Sequence, residues 1–246
     1  MDPSPTRPPY YRADLALIHH LGFGFHADLC APGILEILAP VRKRQGLVVE
    51  LGCGSGLLTR YLAEAGHRVI ATDASDAMLD LTRRHAGDDV DVRRLRLPDD
   101  AIPDADAIVS VGHVLNYLDD EASMDRALVA VAGALRPGGV LALDLCDLAW
   151  GRAPRAAKVW RNDQWVLVTE FSVPSPDRFV REMTTFVSNE DGSWRRDDER
   201  HENVLIDTSR VPLLLAEHGV SATIGSSFGS EDLPVGLVAV VGQRSH

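Results

Sequence analysis

The residues of this chain best suited to chemistry cluster in VVELGCGSG, Val48 to Gly56, where a carboxylate, Glu50, precedes glycines at 52, 54 and 56. Val48, Val49 and Leu51 read as a strand covered on both faces. Glycine at the alternate positions that follow lets the turn take positive φ and lets a ligand touch the backbone. The run LLTRYLAEAGH behind it reads as a helix whose free N–H groups aim back at the loop. Such a loop suits a nucleotide-like ligand. Seventeen positions after Gly56 comes Asp73, at the end of the apolar run HRVIAT. A carboxylate there can accept hydrogen bonds from both hydroxyls of a ribose. Its other possible role is to cap the helix that starts near Ser75 or Asp76.

Spacing discriminates among nucleotide-like ligands. A dinucleotide site built on G-x-G-x-x-G and counted from Gly52 needs its third glycine at position 57, which is Leu57. The spacing present is E-x-G-x-G-x-G, and the charge of Glu50 disfavours a pyrophosphate but suits a ligand carrying an ammonium group. This stretch resembles the first motif of the class I S-adenosylmethionine-dependent methyltransferases, of the bacterial small-molecule type. The resemblance implies S-adenosyl-L-methionine as cofactor and S-adenosyl-L-homocysteine as its product. It also implies a cofactor-binding set: Glu50, Gly52, Cys53, Gly54 and Gly56 in the loop, Asp73 and Ala74 after the second strand, Met78 and Leu97 toward the adenine.

The acceptor side follows from topology. ADAIVSV, 105 to 111, reads as a strong fourth strand and leads into GHVLNYL, 112 to 118. Ligands of doubly wound sheets sit beyond the strand carboxyl ends where the strand order reverses. In the resembled family that point lies between the first and fourth strands, so Gly112, His113 and Asn116 would open onto the methyl group, with Gly112 and His113 also beside the cofactor. His113 is the first choice for a general base, followed by Tyr11 and His201. Tyr10, Tyr11, His113, Asn116 and Arg200 form the expected acceptor-binding set. No metal site is expected, because Cys30, Cys53 and Cys146 lack ligand spacing.

Around these residues the elements fall in order. MDPSPTRPPY, residues 1 to 10, is proline-rich and expected to be extended or disordered. Helices are expected from Tyr11 to about Leu21 and from Ala31 to Arg44, ahead of the first strand, and the resemblance implies that they cover the cofactor. Leu57 to Ala65, Asp76 to His85 and Ser123 to Leu135 read as crossover helices. His67 to Thr72, Val90 to Leu95 and Val140 to Leu145 read as further strands, the fifth preceded by RPGG. Between Asp147 and Ile206 the helical rhythm stops. Trp165 to Val173, Arg178 to Ser188 and Ser193 to Leu205 read as an inserted three-stranded meander, resembling a lid over the substrate cavity. A helix capped by Thr208 and running to His218 then precedes two final strands, Val220 to Ile224 and Leu237 to Val241. The expected fold is α/β, a Rossmann-like doubly wound sheet of seven strands in the order 3-2-1-4-5-7-6 with an antiparallel last strand. Its domains would be 1–45 as N-terminal helices, 46–147 with 207–246 as the cofactor domain, and 148–206 as an inserted β lid.

The chain has 246 residues, 45% of them hydrophobic, which is enough for one α/β domain with elaborations. Lys and Arg total 25 against 36 Asp and Glu, a net charge of -11. Such a surface repels phosphate backbones, and RKR at 42 to 44 and RRLR at 93 to 96 are too short to override it. No secretory leader or membrane-length apolar run is recognised, so a cytoplasmic protein without membrane or nucleic-acid partners is expected, as a monomer or homodimer. The expected function is methyl transfer from S-adenosylmethionine to nitrogen or oxygen of a small molecule by in-line displacement. The alternatives are a module that binds the cofactor without transferring its methyl, and an NAD-dependent reductase.

Overall fold

The computed structural model describes residues 10–152 and 155–246. Residues 1–9, for which extended chain was expected, lie outside that range. Two helices, α1 (Ala13–Gly22) and α2 (Phe25–Ile37), and a short third, α3 (Ala39–Lys43), precede the first strand. The single helix expected over 31–44 is thus two. Its first part starts at once after Gly24, with Asp28 in the first turn facing the positive helix end. It ends after Ile37 because Pro40 has no N–H to return to the carbonyl four residues earlier.

The α/β body then alternates β1 (Leu47–Leu51), α4 (Leu57–Glu64), β2 (Arg68–Asp73), α5 (Asp76–His85), β3 (Asp91–Arg94), β4 (Ala105–Ser110), α6 (Glu121–Ala134) and β5 (Leu135–Cys146). An insertion of β6 (Lys158–Arg161), β7 (Trp165–Ser175), β8 (Arg178–Ser188) and β9 (Trp194–Val204) follows, and α7 (Val211–Glu217), β10 (Val220–Gly225) and β11 (Leu237–Arg244) complete the chain.

The main sheet has the order β3-β2-β1-β4-β5-β11-β10, with β11 antiparallel to both of its neighbours. Counting only this sheet's strands, that is the expected 3-2-1-4-5-7-6. Successive side chains of β1 serve opposite faces, as strand geometry requires. Val49 and Leu51 join Ile108 and Leu128 under α6, whereas Val48 packs with Val69, Ile34 and Leu62 under α2 and α4.

The inserted sheet, β6-β7-β8-β9, is antiparallel throughout and has four strands where three were expected. The additional strand, β6, is short and mostly exposed, so no alternating burial marks it. Two other differences are local. Asp207, and not Thr208, accepts the capping hydrogen bond from Ser209 N, while the Thr208 hydroxyl donates to Asp147. RPGG belongs to β5 itself, whose ladder with β4 begins at Leu135 and shifts register before Val140. Among the described residues no helix is long and apolar enough to cross a membrane.

Candidate functional site

A cavity of about 730 Å³ opens at the carboxyl ends of β1 and β4, where the strand order reverses. Its floor is the loop after β1. Gly52 has φ 65° and sits so close to Val114 that a Cβ would stand 2.4 Å from the valine methyls. Gly54 has φ 56°, and the place of its missing Cβ has no atom within 4 Å, so that edge of the backbone is open. Both conformations favour glycine. The loop is held from two sides: Gly54 N donates to Asp73 Oδ2 at 2.9 Å, and Thr82 Oγ1 donates to the Gly54 carbonyl at 2.8 Å.

Asp73 lines the cavity and does not cap α5, a position taken by Ser75, whose hydroxyl accepts from Met78 N. Asp73 Oδ1 accepts from Ser75 N at 2.8 Å. Burial raises its pKa, and the backbone N–H groups of Ser75 and Gly54 oppose that rise. Glu50 is buried beneath the loop, accepts from Thr59 Oγ1 at 2.7 Å, and is pushed up to about 8 by desolvation. A bare carboxylate was expected there; burial instead keeps the acid largely protonated near neutrality until a cation meets it. Cys53 lines the cavity with a thiol that burial holds well above its ordinary pKa, so it packs and does not react.

Ala74, Met78, Leu97, Gly112 and His113 also line the cavity, as do Tyr10 and Tyr11. Gly112 N and His113 N donate to Asp144 of β5 at 3.0 and 2.6 Å, and His26 Nε2 of α2 lies 2.7 Å from the same carboxylate. Asp144 therefore ties the turn after β4 to the N-terminal helices. The His113 ring lies near Tyr117 and Trp150, and burial together with the charge of Arg181 lowers its pKa to about 3. It is neutral and weakly basic, which makes it a poor general base.

Four expected site residues are placed elsewhere. Gly56 caps α4 with φ 81°, and a Cβ there would stand 3.1 Å from Thr82 of α5 and 3.2 Å from Ala86 just after it. Asn116 is wholly buried and knits strands together: its Nδ2 donates to the carbonyls of Cys146 and Val204, and its Oδ1 accepts from Cys146 N. Arg200 lies on the outer face of the insertion, paired with Glu182 at 3.1 Å and Glu202 at 3.4 Å. His201 is buried behind the wall, 2.9 Å from Glu199, with its ring against Tyr10 and Tyr11. Glu199 accepts the N–H groups of Tyr11 and Arg12, so the pair seats the start of the N-terminal segment on β9.

The rest of the wall was not singled out from sequence. His19, Phe23 and His26 come from the N-terminal helices, Tyr117 from the turn after β4, and Trp150, Arg155, Phe179 and Arg181 from the insertion. The hydroxyls of Tyr11 and Tyr117 are 3.0 Å apart, and Arg181 donates to the Tyr117 hydroxyl. Among the described residues no group of three or more His, Cys, Asp or Glu is placed to hold a metal ion.

Residues 48–139 match the family of methyltransferase domains. The chain is 34% identical over 132 residues to a malonyl-[acyl-carrier protein] O-methyltransferase of Pectobacterium atrosepticum, covering 52% of this chain and 49% of that protein. It is 30% identical over 178 residues to a ubiquinone biosynthesis O-methyltransferase of Methylocella silvestris, covering 65% and 64%. The chain thus spans about half to under two thirds of the length of these curated relatives. Among solved structures, a sugar N-methyltransferase from a Streptoalloteichus species superposes with a TM-score of 0.78 at 20% identity, covering 99% of this chain and 98% of that one. An S-adenosylmethionine-dependent methyltransferase from Clostridium acetobutylicum gives 0.75 at 17%, covering 94% and 97%. Residues 48–139 thus match a methyltransferase domain, and the chain as a whole shares the fold of these solved methyltransferase structures.

Proposed function

We propose that the protein binds S-adenosylmethionine in this cavity and transfers its methyl group to a nitrogen or oxygen of a small molecule. The observation that carries the reading is that one cavity joins the glycine loop and Asp73, on the sheet, to a wall of aromatic and basic side chains from the N-terminal helices and the insertion. The volume, about 730 Å³, lies inside the range of roughly 300–1,000 Å³ usual for small-molecule sites.

The residues present fit the cofactor. Gly54 offers an open backbone edge, Glu50 is a buried acid that regains its charge beside an ammonium group, and Asp73 holds a fixed carboxylate suited to vicinal hydroxyls. Gly52, Cys53, Ala74 and Gly112 are close-contact residues in this assignment, and Met78 and Leu97 face the adenine. When bound, the cofactor supplies a methyl group made electrophilic by a positive sulfur.

The protein's own contribution is chiefly placement. Tyr10, Tyr11, His113 and Tyr117 form the wall against which an acceptor is oriented, and α1, α2 and the inserted sheet exclude water above it. Orientation can supply roughly 7–11 kcal/mol of a barrier, against about 3–5 kcal/mol for a good general base. A neutral His113 and a pair of phenols are therefore sufficient surroundings for an acceptor that reaches the site with its lone pair free. The reading is tested by incubating the protein with methyl-labelled S-adenosylmethionine and panels of small amines, phenols and carboxylic acids. Label moved to an acceptor supports it; a folded protein that binds the cofactor yet labels no acceptor overturns the transfer step.

A further inference from the structure

The carboxylates that face the cavity all come from one part of the fold, and most of the cations from another. The carboxylates, Glu50, Asp73, Asp99 and Asp119, all belong to the α/β body, which adds one cation, the exposed Arg96. The insertion contributes Arg155, Lys158 and Arg181, and no carboxylate from it lines the cavity among the described residues. This is unusual in a chain with 36 acidic residues against 25 basic ones.

Other arginines of the same insertion are paired. Arg178 faces Glu202, Arg195 holds Asp14, Arg196 holds Asp198, and Arg200 holds Glu182. Arg155 and Arg181 have no ion pair with any described residue. Arg181 donates to the Tyr117 hydroxyl, and its Nε is buried with no acceptor. Tyr117 cannot serve as a counter-charge, because burial holds its phenol well above the ordinary pKa. Arg155 is stacked on Trp150 and Phe179, with its guanidinium carbon 4.5 and 4.6 Å from the ring centroids, and gives one N–H to the Trp150 carbonyl. Stacking fixes the plane of a guanidinium and leaves its remaining edge donors for a ligand. Burial lowers the pKa of Arg155, and the like charge of Arg181 adds a smaller push in the same direction. Two half-buried cations without a counter-ion are costly unless the working complex supplies one.

Resting on the methyltransferase reading, we infer that the acceptor carries an oxyanion, a carboxylate or a phosphate, which enters the upper half of the cavity and is gripped by Arg155 and Arg181. The cavity then matches both of its occupants: an acidic floor for a cationic cofactor, and a basic, aromatic roof that orients the acceptor by an anionic group away from the methylated atom. Arg suits this task because its planar fork meets two oxygens at once.

The test is calorimetric titration of the whole chain, saturated with S-adenosylhomocysteine, with three ring compounds of matched shape: benzoate, phenyl phosphate and benzamide. At least one anion should bind ten-fold or more tightly than benzamide, and the better of the two tells which oxyanion the site takes. Arg181→Lys and Arg155→Gln should each reduce that preference several-fold while leaving S-adenosylhomocysteine affinity within two-fold. Equal binding of all three probes by the wild-type complex overturns the inference, with no variant required. If S-adenosylhomocysteine itself fails to bind, the cofactor reading falls separately, and the same three probes titrated into the protein alone still decide whether the arginines select an anion.

Discussion

The backbone N–H of Gly54 donates to Asp73 Oδ2 across 2.9 Å, so the open edge of the glycine loop and the acid at the end of β2 form one hydrogen-bonded unit. Replacing Asp73 by Ala removes the anchor of the loop together with the acceptor for the ribose hydroxyls. A hydrogen bond to a charged group contributes roughly 1.5–3 kcal/mol, so S-adenosylhomocysteine affinity should fall by about ten-fold or more for each such bond lost. Asp73→Asn, which keeps one acceptor oxygen, should lose less. Calorimetry on both variants, with folding checked by circular dichroism, measures the difference.

Glu50 gives the binding step a pH dependence of known sign. Its pKa of about 8 in the free protein means that below this pH a proton must leave when a cationic ligand arrives. Affinity for S-adenosylhomocysteine should therefore rise by up to ten-fold per pH unit from pH 6 toward 8, with proton release visible as buffer-dependent binding heat. The Glu50→Gln variant should bind weakly and show no such slope. For the free protein the linkage runs the other way. The unfolded chain ionises Glu50 at its ordinary 4.5 while the folded one retains the proton, so this residue's contribution to stability declines between about pH 4.5 and 8.

Asn116 was expected beside the methyl group and instead joins the backbone of Cys146 to that of Val204. Asn116→Ala leaves three buried backbone groups without their partner, each costing about 1–3 kcal/mol. The expected outcome is a large fall in Tm with cofactor affinity unchanged in whatever fraction remains folded. A selective rise in KM for an acceptor, with Tm intact, would return Asn116 to the site.

His113 and His19 are both half-buried and neutral, with desolvation first and the charge of Arg181 second lowering their pKa values to about 3 and about 4. The unfolded chain protonates each at its ordinary 6.5, so their contribution to stability is full above pH 6.5 and declines as the pH falls toward 4. Chemical denaturation at pH 7.5 and 5 should show the loss, and His19→Gln should reduce it. Because His113 does not titrate near neutrality, the kcat/KM profile should have no His113 limb between pH 5 and 8, and His113→Gln should leave the shape of that profile unchanged.

Much of the α/β body was legible because local and global signals agree there. The run at β1, the glycines, Asp73 at the end of β2 and the amphipathic α5 are each specified by residues adjacent in sequence. Asp144 was overlooked, although an acid within VLALDL, a run that is otherwise apolar, signals a buried charge needing partners; those partners, Gly112, His113 and His26, come from two distant segments. The roof was hidden for the same reason. Arg181 and Arg200 stand on paired strands with similar polar neighbours, and only the way β8 and β9 pack on the body sends one into the cavity and the other to solvent. The break between α2 and α3 was readable from Pro40, whose missing N–H stops the ladder.

The most direct measurement is a crystal structure of the chain grown with S-adenosylhomocysteine. The account predicts the ribose hydroxyls on the Asp73 carboxylate, the amino acid portion along Gly52 and Gly54 with its ammonium toward Glu50, and the sulfur facing Tyr11, His113 and Tyr117. A nucleoside bound with its sugar away from Asp73, or density for the compound only outside this cavity, would contradict it.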